Sequence, residues 1–279
     1  MMTYQFSSPE RLAPSGPCID LLGVRVSALN LMSASDRVHE AVRQGQRGYV
    51  CLCGAHGLVD SQSAPALRTA YNKAFLNTPD GMPLVWELHR QGHPDAGRVY
   101  GPDLMLEMFA RGLRHYLYGA SPATLARLEA RLRTRFPHAE IAGAYSPPFR
   151  ALTVQEDDDV AARINAAKPD IVWVGLGAPK QELWMARMRD RLDAPMLVGV
   201  GAAFDFHAGK KPQAPAILQS MGLEWLFRLA SEPRRLWRRY LRVVPGYLAL
   251  LALQRTGLRQ FPTATPVGAP GILVGKEEK

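Results

Sequence analysis

The run Ile171-Val172-Trp173-Val174-Gly175-Leu176-Gly177-Ala178-Pro179-Lys180-Gln181-Glu182, IVWVGLGAPKQE, decides how this chain is read. Its apolar, mostly β-branched opening describes a strand buried on both faces, as inside a parallel sheet. Gly175 and Gly177 break the strand with a turn, and Pro179 with Lys180-Gln181-Glu182 opens a helix, where proline is tolerated at the first position. Such a turn leaves backbone N–H groups unpaired beside Lys180, a setting that suits an anionic oxygen. It is not a dinucleotide fingerprint, because G-x-G-x-x-G needs Gly or Ala where Gln181 stands. A plain strand-to-helix connection remains the other reading of the same residues.

Outward from this unit the same grammar recurs. Strands are expected at Gly48–Cys53, 114–118, Glu140–Tyr145 and 196–200. Helices are expected at 33–43 (capped by Ser33 or Ser35), 55–73 (interrupted by Pro65), Met82–Arg90, 102–111, Pro122–Arg135, 157–167 and 181–192. Residues 18–22 and 24–28 flank Gly23 as a small hairpin. Strands alternating with helices predict an α/β fold, a Rossmann-like, mostly parallel sheet of right-handed units flanked by helices. Ligands of such sheets bind beyond the carboxyl ends of the strands, where Gly54, Asp80, Gly119, Gly175, Gly177 and Gly201 fall. From Gly222 the grammar changes: residues 224–253 are helix-forming and strandless, a C-terminal helical appendage. The expected division is a disordered head at 1–17, an α/β core at 18–221, a basic helical appendage at 222–261 and a disordered tail at 262–279.

The bulk numbers are those of a globular protein: 279 residues, 47% hydrophobic, 21% charged. The net charge of +9 is unevenly spread. Arg228, Arg234, Arg235, Arg238, Arg239, Arg242, Arg255 and Arg259 stand against Glu232 alone across residues 228–259, which implies an anionic partner. Cys18, Cys51 and Cys53 provide a single C-x-C, which supports neither a zinc site nor a disulfide framework and fits a reduced, cytoplasmic compartment. Residues 1–17 lack the apolar core of a signal peptide. The longest apolar run, 243–253, is too short to span a membrane and contains Pro245 and Gly246.

Several residues could carry chemistry. Asp80, in T-P-D-G-M-P, reads either as a turn or capping residue or as a general base held at the mouth of the sheet. Arg98, in R-V-Y-G-P-D, can pair with Asp103 or with a substrate oxygen, while Asp103 reads as a helix-capping acid. Gly201 and Asp205, in G-V-G-A-A-F-D-F-H-A-G, belong to a loop suited to gripping a ligand. His207 has no second ligand at metal spacing. Glu156-Asp157-Asp158-Asp159 imitates a metal–nucleotide motif but opens a helix, where acids favour the positive end of the dipole. No metal and no cofactor are expected. Arg228, Arg235 and Arg238, at offsets of seven and three, share a helical face unless Pro233 interrupts it, and guanidinium groups there can neutralise a diphosphate.

Taken together, DGMPLVW (80–86), RVYGPDL (98–104), GLGAPKQE (175–182), GVGAAFDFHAG (199–209) and GLEWLFRLASEPRRLWRRYL (222–241) resemble the WecB/TagA/CpsF glycosyltransferases, glycosyltransferase family 26, over residues 18–255. The resemblance implies inverting, metal-independent transfer from a UDP-sugar, with an N-acetylmannosamine-type sugar or glucose, to a polyprenyl-diphosphate-linked sugar in cell-surface polysaccharide synthesis. It implies a cytoplasmic enzyme, peripheral at the inner face of the membrane; a homo-oligomer is an open option of the sequence. By the same resemblance Asp80 is the base, Gln181 lies at the active site, and Arg228, Arg235 and Arg238 are the arginines of the family's C-terminal segment; Lys180 and the Gly175–Gly177 turn are, from their own sequence, the candidate anion site that would help hold the leaving UDP. The family's T-x-N is replaced here by Leu52-Cys53-Gly54, with His56 or the Cys53–Gly54 backbone as candidate substitutes. Leu236, Trp237, Tyr240, Leu241 and residues 243–253 offer a surface for the membrane, or equally the packed face of an amphipathic helix. A nucleic-acid-binding protein using the arginine-rich end is the competing class, though no nucleic-acid fold signature accompanies it. A nucleotide-dependent oxidoreductase is weaker, lacking the glycine fingerprint and the ribose-binding acid.

Overall fold

A computed structural model describes residues 16–263. The chain starts with strands β1 (Cys18–Leu21) and β2 (Val24–Ser27), then helix α1 (Leu31–Arg43), β3 (Gly48–Cys53), α2 (Ala55–Ser61), α3 (Pro65–Asn72), β4 (Leu76–Pro79), α4 (Met82–Arg90) and α5 (Gly101–Phe109). It continues through β5 (Arg114–Gly119), α6 (Pro122–Arg135), β6 (Glu140–Tyr145), α7 (Val154–Ala167), β7 (Ile171–Gly175) and α8 (Lys180–Met188), with a 3-10 turn at Arg189–Arg191. The last elements are β8 (Met196–Gly199), α9 (Ala203–His207), α10 (Ala216–Ser220), α11 (Glu224–Ser231) and α12 (Pro233–Arg255).

The six-stranded sheet runs in the order β4-β3-β8-β7-β5-β6, parallel throughout, and β1–β2 form a separate antiparallel hairpin. This is the expected α/β architecture. Alternation along β3 explains why the sheet is covered twice: Tyr49, Cys51 and Cys53 join the hydrophobic layer under the hairpin, α3 and α8, while Val50 and Leu52 join the layer under α1, α5 and α6. Trp173 of β7 is fully buried, and its indole N–H donates to His115 Nδ1 at 3.1 Å.

Several boundaries shift for local reasons. Helix α1 starts at Leu31 rather than residue 33 and is capped by Asn30, not by Ser33 or Ser35. Asn30 Oδ1 accepts from the Ser33 N–H at 3.0 Å, and Ser33 Oγ accepts from the Asn30 N–H at 3.0 Å, a reciprocal capping box. Helix α7 starts at Val154 on a similar Thr153–Glu156 box. Pro65 divides 55–73 into α2 and α3, and Pro233 starts α12 rather than kinking one long helix. Pro245 lies inside α12.

Residues 1–15 of the expected head and 264–279 of the expected tail lie outside the described residues. Within them, the C-terminal half of α12 is part of the core: Tyr247 and Leu251 pack into the layer that holds Leu21, Leu58 and Leu84, and Phe261 joins it. Gln254 clasps the hairpin, accepting from the Leu22 N–H and donating to the Asp20 carbonyl, each at 2.9 Å. Arg255 donates to the buried Glu87 carboxylate, Nε to Oε2 at 3.2 Å. The 243–253 run therefore turns Val243, Tyr247 and Leu251 inward instead of offering a continuous membrane-facing surface. Among the described residues no helix is long and apolar enough to cross a membrane.

Candidate active site

The carboxyl ends of β3, β4, β7 and β8 open into a cavity of about 450 Å³ roofed by α11 and α12. Asp80 reaches it because β4 ends at Pro79, Asp80 donates its N–H to the Cys53 carbonyl at 2.8 Å, and Gly81 turns the chain at φ 145° into α4. The strands come so close here that side chains are barred from their ends. A Cβ on Gly119 would sit 2.6 Å from the Gly175 carbonyl, and one on Gly175 would sit 2.6 Å from the Phe204 ring. Such contacts require glycine.

Asp80 is the acid at the mouth of the sheet. Burial pushes its carboxyl up to about 6; Arg98 pulls it down, Glu224 pushes it up, and Arg228 pulls it down. That value suits a base that is ionised at neutral pH yet still takes a proton readily. Arg98 does not pair with Asp103. Its Nη2 lies 3.5 Å from Asp80 Oδ1 and pairs directly with Glu224, and Nη1 donates to Gln219 Oε1 at 2.9 Å.

His56 lines the cavity next to Gly54, where a Cβ would meet the Asp80 carbonyl and the His56 ring, both at 3.1 Å. Gly54 thus makes room for the imidazole. Burial, with Arg239 and Arg228 nearby, pushes His56 down to about 3, so it is a neutral donor and acceptor at physiological pH. Leu52 forms part of the wall.

Gly175, Gly177, Gln181, Gly201 and Asp205 all line the same cavity. Gly177 adopts φ 77°, and α8 begins just beyond it. Gln181, 4% exposed, donates through Nε2 to Glu182 Oε1 at 3.0 Å, and its Oε1 has no hydrogen-bond partner among the described residues. Burial lifts the Glu182 carboxyl beneath it to about 7. Asp205 faces Lys210 and Lys211, at 3.8 and 3.6 Å. His207 donates its Nε2–H to the Pro102 carbonyl at 3.0 Å.

The C-terminal arginines divide. Arg228 and Arg235 line the cavity, as does Arg239; Arg238 does not, its guanidinium lying exposed over the Trp237 ring at 5.2 Å. On a helix, residue 238 falls on one flank of residue 235 and residue 239 on the other, and the cavity lies on the second flank. Trp225 and Tyr240, with ring centroids 5.7 Å apart, pack α11 onto α12 and bring Arg228 beside Arg235 across the Pro233 break. Lys180 is exposed and lines a neighbouring groove with Leu183, Trp184 and Phe149 rather than the Asp80 cavity. The acids at the start of α7 are engaged in structure: Glu156 with Arg150, Asp157 with Arg187, Asp158 with Arg191.

Sequence reading missed Arg239, Lys210, Lys211 and Glu224. The i, i+4 row that joins Arg235 to Arg239, beside the buried Leu236 and Val243, was the available signal for the first. The cavity therefore gathers five cationic side chains (Arg228, Arg235, Arg239, Lys210, Lys211) with the carboxylates of Asp80, Asp205 and Glu224, an arrangement able to hold a diphosphate while a proton is removed nearby. A family model described as Glycosyl transferase WecG/TagA/CpsF family matches residues 19–261.

Proposed function

Since the chain belongs to the WecG/TagA/CpsF family of glycosyl transferases, we propose that it moves a sugar from a UDP-sugar to a polyprenyl-diphosphate-linked sugar by one inverting displacement. The observation that carries this reading is the shared cavity. Asp80 and the arginines of α11 and α12, some 150 residues apart in sequence, line one space about large enough for a nucleoside diphosphate and part of a sugar.

Asp80 takes the proton of the acceptor hydroxyl, whose oxygen attacks the anomeric carbon of the donor. The bond from that carbon to the diphosphate breaks with inversion, and UDP leaves with its growing charge held by Arg228, Arg235 and Arg239. The Gly175–Gly177 turn and the α8 N-terminus lie on the same side of the cavity and favour an anion. Gln181 offers its amide to the donor or acceptor sugar, and the neutral His56 takes the place of the polar side chains that the family carries near Leu52 and Gly54. Asp205 keeps Lys210 and Lys211 over the cavity.

Contact with the inner face of the membrane is proposed for the outward side of α12, where Trp237, Leu241 and Leu248 are 45%, 66% and 60% exposed beside Arg234 and Arg238. The test of the whole reading is a panel of UDP-sugars with a short-chain lipid-diphosphate-sugar acceptor. Release of UDP with one donor, matched by an acceptor lengthened by one sugar of inverted configuration, is the expected result. Absence of transfer from every UDP-sugar overturns it.

A further inference from the structure

Arg98 stands between two acids from different parts of the chain. Its Nη2 is paired with Glu224 of α11 and only reaches Asp80 Oδ1 at 3.5 Å, the outer limit of a hydrogen bond. Its Nη1 donates to Gln219 of α10 at 2.9 Å, and Gln219 is itself fixed by donating to the Ala214 carbonyl at 2.7 Å. The guanidinium also lies 4.0 Å from the centre of the Tyr100 ring. Residues of α10 and α11 thus decide where Arg98 points. Among the described residues the Asp80 carboxylate has no other hydrogen-bond donor. An arginine that closed on Asp80 with both nitrogens would form a strong charge-assisted pair and make it a poorer proton acceptor.

We propose that Glu224 is a positioning residue for the base: with Gln219 it holds Arg98 off Asp80 and leaves the carboxylate free to accept the acceptor's proton. The proposal rests on the reading of Asp80 as the base. It also ties that base to the helical roof, because Glu224 reaches Arg98 only while α11 is seated on the cavity. The groups facing Asp80 are Arg98 and Tyr100 from the segment before α5, Cys53 at the end of β3, His56 of α2, Glu224 and Arg228 of α11, and Arg239 and Tyr240 of α12. Cys53 and His56 are neutral at physiological pH, since burial raises the thiol and lowers the imidazole. Removing the Glu224 charge takes away a negative neighbour and releases Arg98 to Asp80, and both changes lower the proton affinity of Asp80.

The experiment follows Glu224→Gln by the pH dependence of kcat and, without substrates, by infrared titration of the Asp80 carboxyl, identified by its loss in Asp80→Asn. The acid limb of kcat and the carboxyl titration are expected to move down together by about one pH unit. The plateau kcat is expected to fall about three- to tenfold, as a weaker base requires, with donor KM nearly unchanged. Gln219→Leu, which frees the other guanidinium nitrogen, shifts both in the same direction by less. A raised donor KM with an unmoved acid limb and an unmoved carboxyl titration overturns the proposal and makes Glu224 a strut for α11. The titration needs no turnover, so an enzyme that transfers no sugar would sink the functional reading and still report on Glu224.

Discussion

The last helix is one element in two environments. Its first half, residues 233–242, carries Arg234, Arg235, Arg238, Arg239 and Arg242 and buries only Leu236; α10 and α11 before it bury nothing. Its second half buries Val243, Tyr247 and Leu251, clasps the hairpin through Gln254 and holds Glu87 through Arg255. The difference teaches that a basic terminal helix need not be an appendage along its whole length. One half carries exposed arginines and little packing, and the other turns one face into the core.

That contrast can be broken most decisively at Asp80. Asp80→Asn should cost about 10²- to 10⁴-fold in kcat, the usual loss with a general base, read by UDP release. Its melting temperature should not fall. Burial raises this carboxyl from 3.8 to about 6, so the native state binds the extra proton between those values and loses stability as pH rises through them. The asparagine variant escapes that loss, and its advantage should appear above about pH 6 and vanish below pH 4. A variant with normal turnover would remove Asp80 from the chemistry.

In the docked half, Leu251→Ala should cost about 2–5 kcal/mol of stability in a denaturant titration, the penalty of a buried leucine cavity. Were it neutral, the second half would be peripheral after all. In the cationic half, Arg239→Ala should lower kcat/KM for the donor by about 10- to 100-fold, the worth of a lost charge-assisted hydrogen bond, while Arg238→Ala changes it less than about twofold. Equal losses at the two positions would erase the flank assignment. Trp237→Asp and Leu241→Asp should weaken pelleting with anionic liposomes without altering transfer to a water-soluble acceptor.

The smallest effect belongs to Glu87. Burial opposes its ionisation, but hydrogen bonds from Arg90, Arg255 and Gln91 outweigh it and hold the carboxyl at about 2. A depressed pKa gives stability that is present above about 4.5 and lost as pH falls towards 2. Glu87→Gln should therefore remove on the order of 1 kcal/mol at neutral pH, since both arginines are half-exposed, and flatten the acid side of the stability curve.

Most of the parallel sheet was legible because strands such as Ile171–Gly175 are apolar runs ending in glycine and the intervening helices are long enough to set their own period; the edge strand β4 was not, since Asn77, Thr78 and Pro79 leave it no apolar run beyond Leu76. Asp80, Gln181, Gly201 and Arg228 were legible as strand-end or motif residues. The partners of Arg98 were not, since Glu224 lies 126 residues away and only the docking of α11 brings it near. Arg239 was passed over for Arg238 because sequence offset alone does not say which flank of a helix is covered. Residues 243–253 were read as an outer surface because apolar content cannot distinguish a face turned to lipid from one turned to the protein's own core.

Pro245 stands where the two halves meet. It has no N–H, so the carbonyl one turn back, at Leu241, lacks its helical donor, and the rod is weakest there. Arg235 lies ten residues upstream, a lever of about 15 Å, so a bend of about 20° at the proline sweeps that guanidinium through about 5 Å. Tyr247, Leu251 and Gln254 anchor the helix beyond that point, so a bend at this single imino acid would redirect the cationic half without disturbing the core.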